Sequence, residues 1–401
     1  MHTTDERACN PLPLEELRRR WNAVRSAMHE RQLDALVVQN SNDWLGGYVR
    51  WFTGAPATNA YPRSVVFPAA GDMSTVGQGP FDGVTELKGD DPGAPGVGRQ
   101  LHTPSYVSAG YTATYDADLV LDELRRGGCR RVGMVAPASM YYGFGTHLAQ
   151  SLAKAGTEVA DATELIDALK AVKSPYEQQM IASTAAMQDE VLAKVCQFIR
   201  PGMQEFEVAA YAQYVGQTLG SEQGIFIGSG APAGQPAMFR PRSQQGRALR
   251  KGDAFTLLLE NNGSGGYYTE LLRPIILGKA TTEQRDAWAL LLEAQRFTLE
   301  RLKPGSSCRE IFAQYNEFLR SRGMGEEKRL HCHGQGYDMV ERPLIRRDET
   351  MDIRPGMNIV VHPGFKSAGV FMTIVDNYLI GAQGPGECLH RTPKSIIELE
   401  V

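Results

Sequence analysis

"PLEELRRRWNAVRSAMHERQLDALVVQ" begins with apolar positions at the spacing of one helix face, with charged residues filling the other. The continuous apolar run "DALVVQ" that follows has the length of a buried strand. Glycine and proline punctuate the next stretch, where "RSVVFPAA" and "RVGMVAP" have strand character. "DADLVLDELRRGG" carries a helical stripe ended by glycine, and "GTHLAQSLAKAG" repeats that design. Alternation of strand and helix predicts a small α/β domain over residues 1–170.

The pattern changes between Ala168 and Ser174, which sets the expected domain boundary, with a second domain over 171–401. Ser174-Pro175 opens a long helix, with proline at its first position and Glu177 in its first turn. "RPGMQEFEVAAYAQYVGQTLG" is a second helix after a Pro-Gly turn. "TEQRDAWALLLEAQRFTLERLKPG" and "SSCREIFAQYNEFLRSRGM" form another pair split in the same way. Two such pairs are what an internally duplicated domain would show. "DAFTLLLE", "GYYTELLRPIILG", "MNIVVHPGF" and "FMTIVDNYLIG" are strand candidates, so this domain is α+β. "TLLLENNGSGGYYTELLRPIIL" predicts a hairpin. A register symmetric about its turn sets Glu260 opposite Glu270. Like charges in that position are destabilising, so solvent, Arg273, a shared proton or a bound cation must compensate.

Charge narrows the function. The chain has 42 basic and 46 acidic side chains and a formal charge of −4, so nothing global favours nucleic acid or an anionic membrane. Six scattered cysteines without a CxxC pair argue against a disulfide framework or zinc ribbon and fit a cytoplasmic location. The polar start has no signal-peptide core, and no apolar run is long enough to span a membrane. "DWLGGYVRWFTG" offers Trp44, Tyr48 and Trp51 either as a pocket wall or as core.

Histidine is scarce, and "LHCHGQGYDMVERP" holds two of the eight. On a strand, His331 and His333 share a face, and His362 ends the apolar run "MNIVVHPG". Three histidines and two glutamates on strands of one domain are a candidate site. Imidazole with carboxylate suits zinc, and two histidines with one carboxylate also suit iron(II).

The motifs together resemble the pita-bread fold of methionine aminopeptidase, aminopeptidase P, prolidase and creatinase. They are "KSPYEQQMIASTAAM", "SGAPAG", "RKGDAFTLLLE", "GYYTELLRPIILG", "HGQGYDMVERP", "RPGMNIVVHPGF" and "VDNYLIGAQGPGECLH", in that order. The two-domain layout is similar to the creatinase and aminopeptidase P branch of the M24 peptidase family. The resemblance therefore implies a creatinase-like N-terminal domain and a pita-bread catalytic domain. It also implies five metal-ligand positions, of which this chain keeps a part. They fall on Leu259 or Glu260, Glu270, His333, His362 and Val375. The family's second histidine falls on Val340, before Glu341, and the histidine expected after "SG" is replaced by Gln235, Pro236 and Ala237. A dinuclear aminopeptidase is therefore not expected.

Two readings stay open at this point. In one, the site is metal-free and His333, Glu270 and Glu341 carry out acid–base catalysis. In the other, Glu270, His333 and His362, with Glu260 as a fourth candidate, hold one divalent ion of iron, zinc or manganese. The resemblance also implies a homodimer in which Tyr61 and Arg63 of "NAYPRSVVFP" serve the site, Arg63 gripping a substrate carboxylate. Leu272 stands where creatinase has its guanidinium-clamping glutamate, which speaks against creatine itself. The expected activity is hydrolysis of a C–N bond in a small carboxylate-bearing compound. The rivals are a lyase resembling those that cleave dimethylsulfoniopropionate, an Xaa-Pro dipeptidase, and a non-catalytic binding protein.

Overall fold

The computed structural model describes residues 12–39, 47–55 and 61–401, so Trp44 lies outside the described residues. The chain divides into two compact units, with the boundary in sequence between Lys170 and Ala171.

In the N-terminal unit the apolar run Ala35–Gln39 is wholly buried and pairs with Ser64–Pro68 on one side and Arg131–Met134 on the other. These three strands are neighbours in a seven-stranded mixed sheet that adds Met73–Gln78, Gly83–Glu86 and Val97–Thr103 on one side and Glu158–Asp161 on the other. The helices Tyr115–Arg126 and Tyr142–Lys154 bury their apolar stripes on it through Val120, Leu124, Phe144 and Leu148. Trp51 is core here, edge-on to Phe52, and Tyr48 donates to Asp167 at 2.5 Å. Four of the strands were not evident from the sequence, because "MSTVGQ", "GVTE", "VGRQLHT" and "EVAD" are largely polar and partly exposed.

The C-terminal unit opens on the helix Pro175–Phe198, capped as its sequence requires. Ser174 Oγ accepts from the Glu177 amide, and the Glu177 carboxylate accepts from the Ser174 amide. With Glu205–Thr218 it backs one sheet, formed by Gly224–Ala231, Ala254–Asn262, Tyr268–Leu271, Ile275–Ile276 and Ile397–Glu398. The second pair, Thr282–Leu299 and Cys308–Ser321, belongs to the other half. There the sheet order runs Glu341–Leu344, Cys332–Gly334, Asn358–Val361, Asp376–Gly381 and Gly384–Cys388.

Two expected strands are split, and the splits join the sheets. "GYYTELLRPIILG" breaks at Leu272–Pro274, where proline has no amide to donate. Arg273 there turns fully inward, donating to Asp376 Oδ1 at 2.6 Å and to the Val375 carbonyl at 3.1 Å. "FMTIVDNYLIG" breaks into Phe371–Thr373 and Asp376–Gly381. Between its halves Val375 forms an isolated bridge with Leu272, linking the two sheets. Among the described residues no helix is long and apolar enough to cross a membrane.

Candidate active site

The hairpin has the symmetric register: Glu260 is the direct antiparallel partner of Glu270. Leu259, the alternative ligand position, points the other way into the apolar core with Phe255 and Leu257. Glu270 is buried and Glu260 half-buried. Burial first, and then the neighbouring charge of Glu260, hold the Glu270 carboxyl well above the ordinary carboxylate range. Burial pushes Glu260 up to about 7, against the opposing pull of Arg329 and a hydrogen bond from Gln335.

Opposite the hairpin, His333 lies on the strand Cys332–Gly334, paired with the central strand Asn358–Val361, which delivers His362 just past its end. The His333 and His362 rings meet edge-on with centroids 5.1 Å apart. His333 Nδ1 donates to the Gly334 carbonyl at 2.9 Å, which leaves the Nε2 lone pair 3.9 Å from Glu270 Oε2. One ligand atom from each of Glu270, His333 and His362 lies within 4.8 Å of the others. Burial drives His333 down to about 4 and His362 well below the ordinary imidazole range. Both rings are therefore neutral, lone-pair donors near neutral pH. A set of two neutral imidazoles and one carboxylate fits a single divalent cation.

Polar side chains unnoticed in the sequence fix this geometry. Asn377 Oδ1 accepts from the Glu270 amide at 2.8 Å, and Asn377 Nδ2 donates to Gln335 Oε1 at 2.8 Å and to Asn358 Oδ1 at 3.2 Å. Gln335 Nε2 in turn reaches Glu260 at 3.4 Å. The glycines of "HGQG" are required by close approach: a Cβ on Gly334 would lie 2.7 Å from the Arg342 carbonyl oxygen.

Other expected residues lie elsewhere. Glu341 is not a free acid or base: Lys173 Nζ meets its Oε2 at 2.7 Å, buried, and the Asp338 amide donates to its Oε1. His331 stacks on Tyr315 with centroids 3.5 Å apart, and neither ring nitrogen has a hydrogen-bond partner among the described residues. Tyr61 and Arg63 belong to the N-terminal unit, where both line a cavity of about 270 Å³ with Gln78, Gln100 and His102. Val375, where the fifth ligand would stand, packs with Leu272 and Val360, with Phe239 and Leu258 against them. Val340 is partly exposed, and Ala237 is core. Hydrocarbon thus surrounds the position that the resemblance assigns to the fifth ligand.

The model of metallopeptidase family M24 matches residues 179–382, slightly more than half of the chain, and the chain belongs to that family. This is a family of hydrolases acting on C–N bonds. The chain is 23% identical to the uncharacterized peptidase YqhT of Bacillus subtilis over 69% of its own length and 78% of that protein's. It is 26% identical to a creatinase from a Bacillus species, spanning 54% of this chain and only 55% of the creatinase. An Xaa-Pro dipeptidase structure from Bacillus anthracis superposes with a TM-score of 0.74 at 20% identity, covering 96% of this chain and 100% of that one. The fold is that of the creatinase and aminopeptidase P-like pita-bread proteins.

Proposed function

We propose that this chain is a single-metal hydrolase that cleaves a C–N bond in a small carboxylate-bearing compound. The supporting observation is the convergence of Glu270, His333 and His362 with both histidines presenting lone pairs and the fifth ligand position filled by the Val375 cluster. Iron, zinc or manganese suits that donor set, and when bound such an ion supplies Lewis-acid polarisation and an acidified water.

The chain's own residues do the rest. Asn377 holds the Glu270 strand in place through its amide. The Gly334 carbonyl fixes the His333 tautomer so that Nε2 faces the site. Glu260, half-exposed and poised near 7, is the group suited to take a proton from an attacking water and return it to the leaving nitrogen. That role replaces the one expected of Glu341, whose carboxylate serves Lys173. A metal-free acid–base site is the second reading, favoured by the paired carboxylates, which can share a proton without a cation. The homodimer, with Tyr61 and Arg63 serving the site, remains part of the proposal, supported by the resemblance of the Tyr61–Arg63 segment.

The test is product analysis in 18O-labelled water with amidino acids, cyclic amidines and Xaa-Pro dipeptides. One 18O on the carbon that was attacked (in the urea released from an amidino acid, the amide opened from a cyclic amidine, or the carboxylate of the Xaa residue), lost with Glu260→Gln while the metal is retained, supports the hydrolase. An unsaturated product without label shows a lyase, and binding without turnover shows a non-catalytic protein; either overturns the proposal.

A further inference from the structure

We propose that the apolar cluster around Val375 is a specificity subsite, which seats an aliphatic chain or saturated ring flanking the scissile C–N bond of the substrate. The inference deepens the hydrolase reading and rests on it. Strand register sets the cluster beside the candidate ligands. Side chains two apart on a strand share a face. Leu258 therefore lies beside Glu260, on the face opposite Leu257 and Leu259, which pack in the core. Leu272 follows Glu270 by two residues and meets Val375 in the bridge between the sheets. Val360 is the direct partner of His333 on one side and of Asn377 on the other, and Asn377 accepts from the Glu270 amide. Leu272, Val360 and Val375 pack together, and Phe239 and Leu258 pack against them.

The cluster is not sealed. Leu272, Val360 and Val375 are buried, whereas Phe239 and Leu258 keep exposed surface. So does Phe371, whose ring meets Phe239 edge-on with centroids 5.4 Å apart. On the neighbouring strand Ile225 stands directly opposite Glu260, and Ile227 opposite Leu258, both partly exposed. Accessible apolar surface therefore adjoins the candidate base. None of these side chains carries a donor or an acceptor. A substrate part rich in N–H groups would leave water here with nothing to pair with, which is costly. An aliphatic part is stabilised by leaving water, by about fourfold in affinity for each methylene fully buried. A compact guanidinium compound is thus a poor fit, and a carboxylate compound with hydrocarbon at the scissile bond a good one.

The experiment uses the full chain loaded with zinc and three probes, acetate, butanoate and guanidinoacetate, titrated by ligand-detected NMR. Metal content is measured alongside. Butanoate is expected to bind the parent about tenfold more tightly than acetate, and guanidinoacetate more weakly than butanoate. Leu258→Ser and Phe239→Ser, both at partly exposed positions, are each expected to cut the butanoate-to-acetate ratio to about twofold, with acetate affinity and metal content unchanged. Val159→Ser, in the N-terminal unit, controls for binding elsewhere and is expected to keep the parent ratio. A parent ratio near one, guanidinoacetate as the tighter ligand, the parent ratio kept in either Leu258→Ser or Phe239→Ser, its loss in Val159→Ser, or binding of none of the probes overturns the assignment. If the parent takes up no zinc, the single-metal reading fails, and the same ratios on the metal-free chain still decide the subsite.

Discussion

Glu260 and Glu270 stand directly opposite each other in adjacent antiparallel strands, and among the described residues no lysine or arginine lies within ion-pair range of either. In a strand-rich interior that is an unfavourable pairing unless a proton or a cation sits near it. The nearby lone pairs of His333 and His362 make the cation the better fit.

A consequence is that metal binding must release protons. Glu270 is held well above the ordinary carboxylate range, whereas His333, down at about 4, has already lost its proton at neutral pH. Binding therefore displaces protons from the carboxylate pair and tightens as pH rises. Calorimetry in buffers of different ionisation enthalpy measures the number. A value of zero would show that the pair was already ionised.

Lys173 and Glu341 form a buried ion pair, and breaking one side leaves the other charge stranded. Lys173→Met is expected to lower unfolding free energy by about 3–5 kcal/mol, and the double variant Lys173→Met, Glu341→Gln to recover most of it. Denaturant titration measures both. Glu341→Gln should keep its bound metal; loss of metal at unchanged stability would restore Glu341 to the site.

His331 is buried with two unpartnered nitrogens against the face of Tyr315. His331→Phe keeps the stacked ring and removes the unsatisfied polar atoms. It is expected to leave metal affinity unchanged and to raise stability by about 1 kcal/mol. A tenfold loss of metal affinity would instead make His331 a support of the ligands.

In the N-terminal unit, burial raises the Asp116 carboxyl to about 6, beside Gln39 and Ser105. A carboxyl whose folded pKa exceeds its unfolded value stabilises most below the unfolded pKa, near 4. That stability is lost as pH rises through about 6, by roughly 3 kcal/mol in total. Thermal melts between pH 4 and 7 should show the decline, and Asp116→Asn should flatten it. Equal slopes in both proteins would contradict the assignment.

Much of this was readable from residue patterns. The hairpin register followed from symmetry about "NNGSGG", and the helix starts followed from Ser174-Pro175 and its capping glutamate. The His333–His362 encounter was suggested by strand placement. What escaped was set by tertiary contact. "GIFIGSGA" was not among the strand candidates yet is a long strand, and its glycines stand where a side chain at Gly228 or Gly230 would meet Phe255 or Leu249. Gln335, Asn358 and Asn377 look like ordinary polar residues until two sheets bring them together. Glu341 looked catalytic because its partner, Lys173, is 168 residues away in sequence.

The central claim is one ion held by Glu270, His333 and His362, and metal analysis of the purified, tag-free chain tests it most directly. About one equivalent of iron, zinc or manganese is expected, falling to a trace in His333→Ala and His362→Ala. Two equivalents, or none after incubation with each ion, would contradict it.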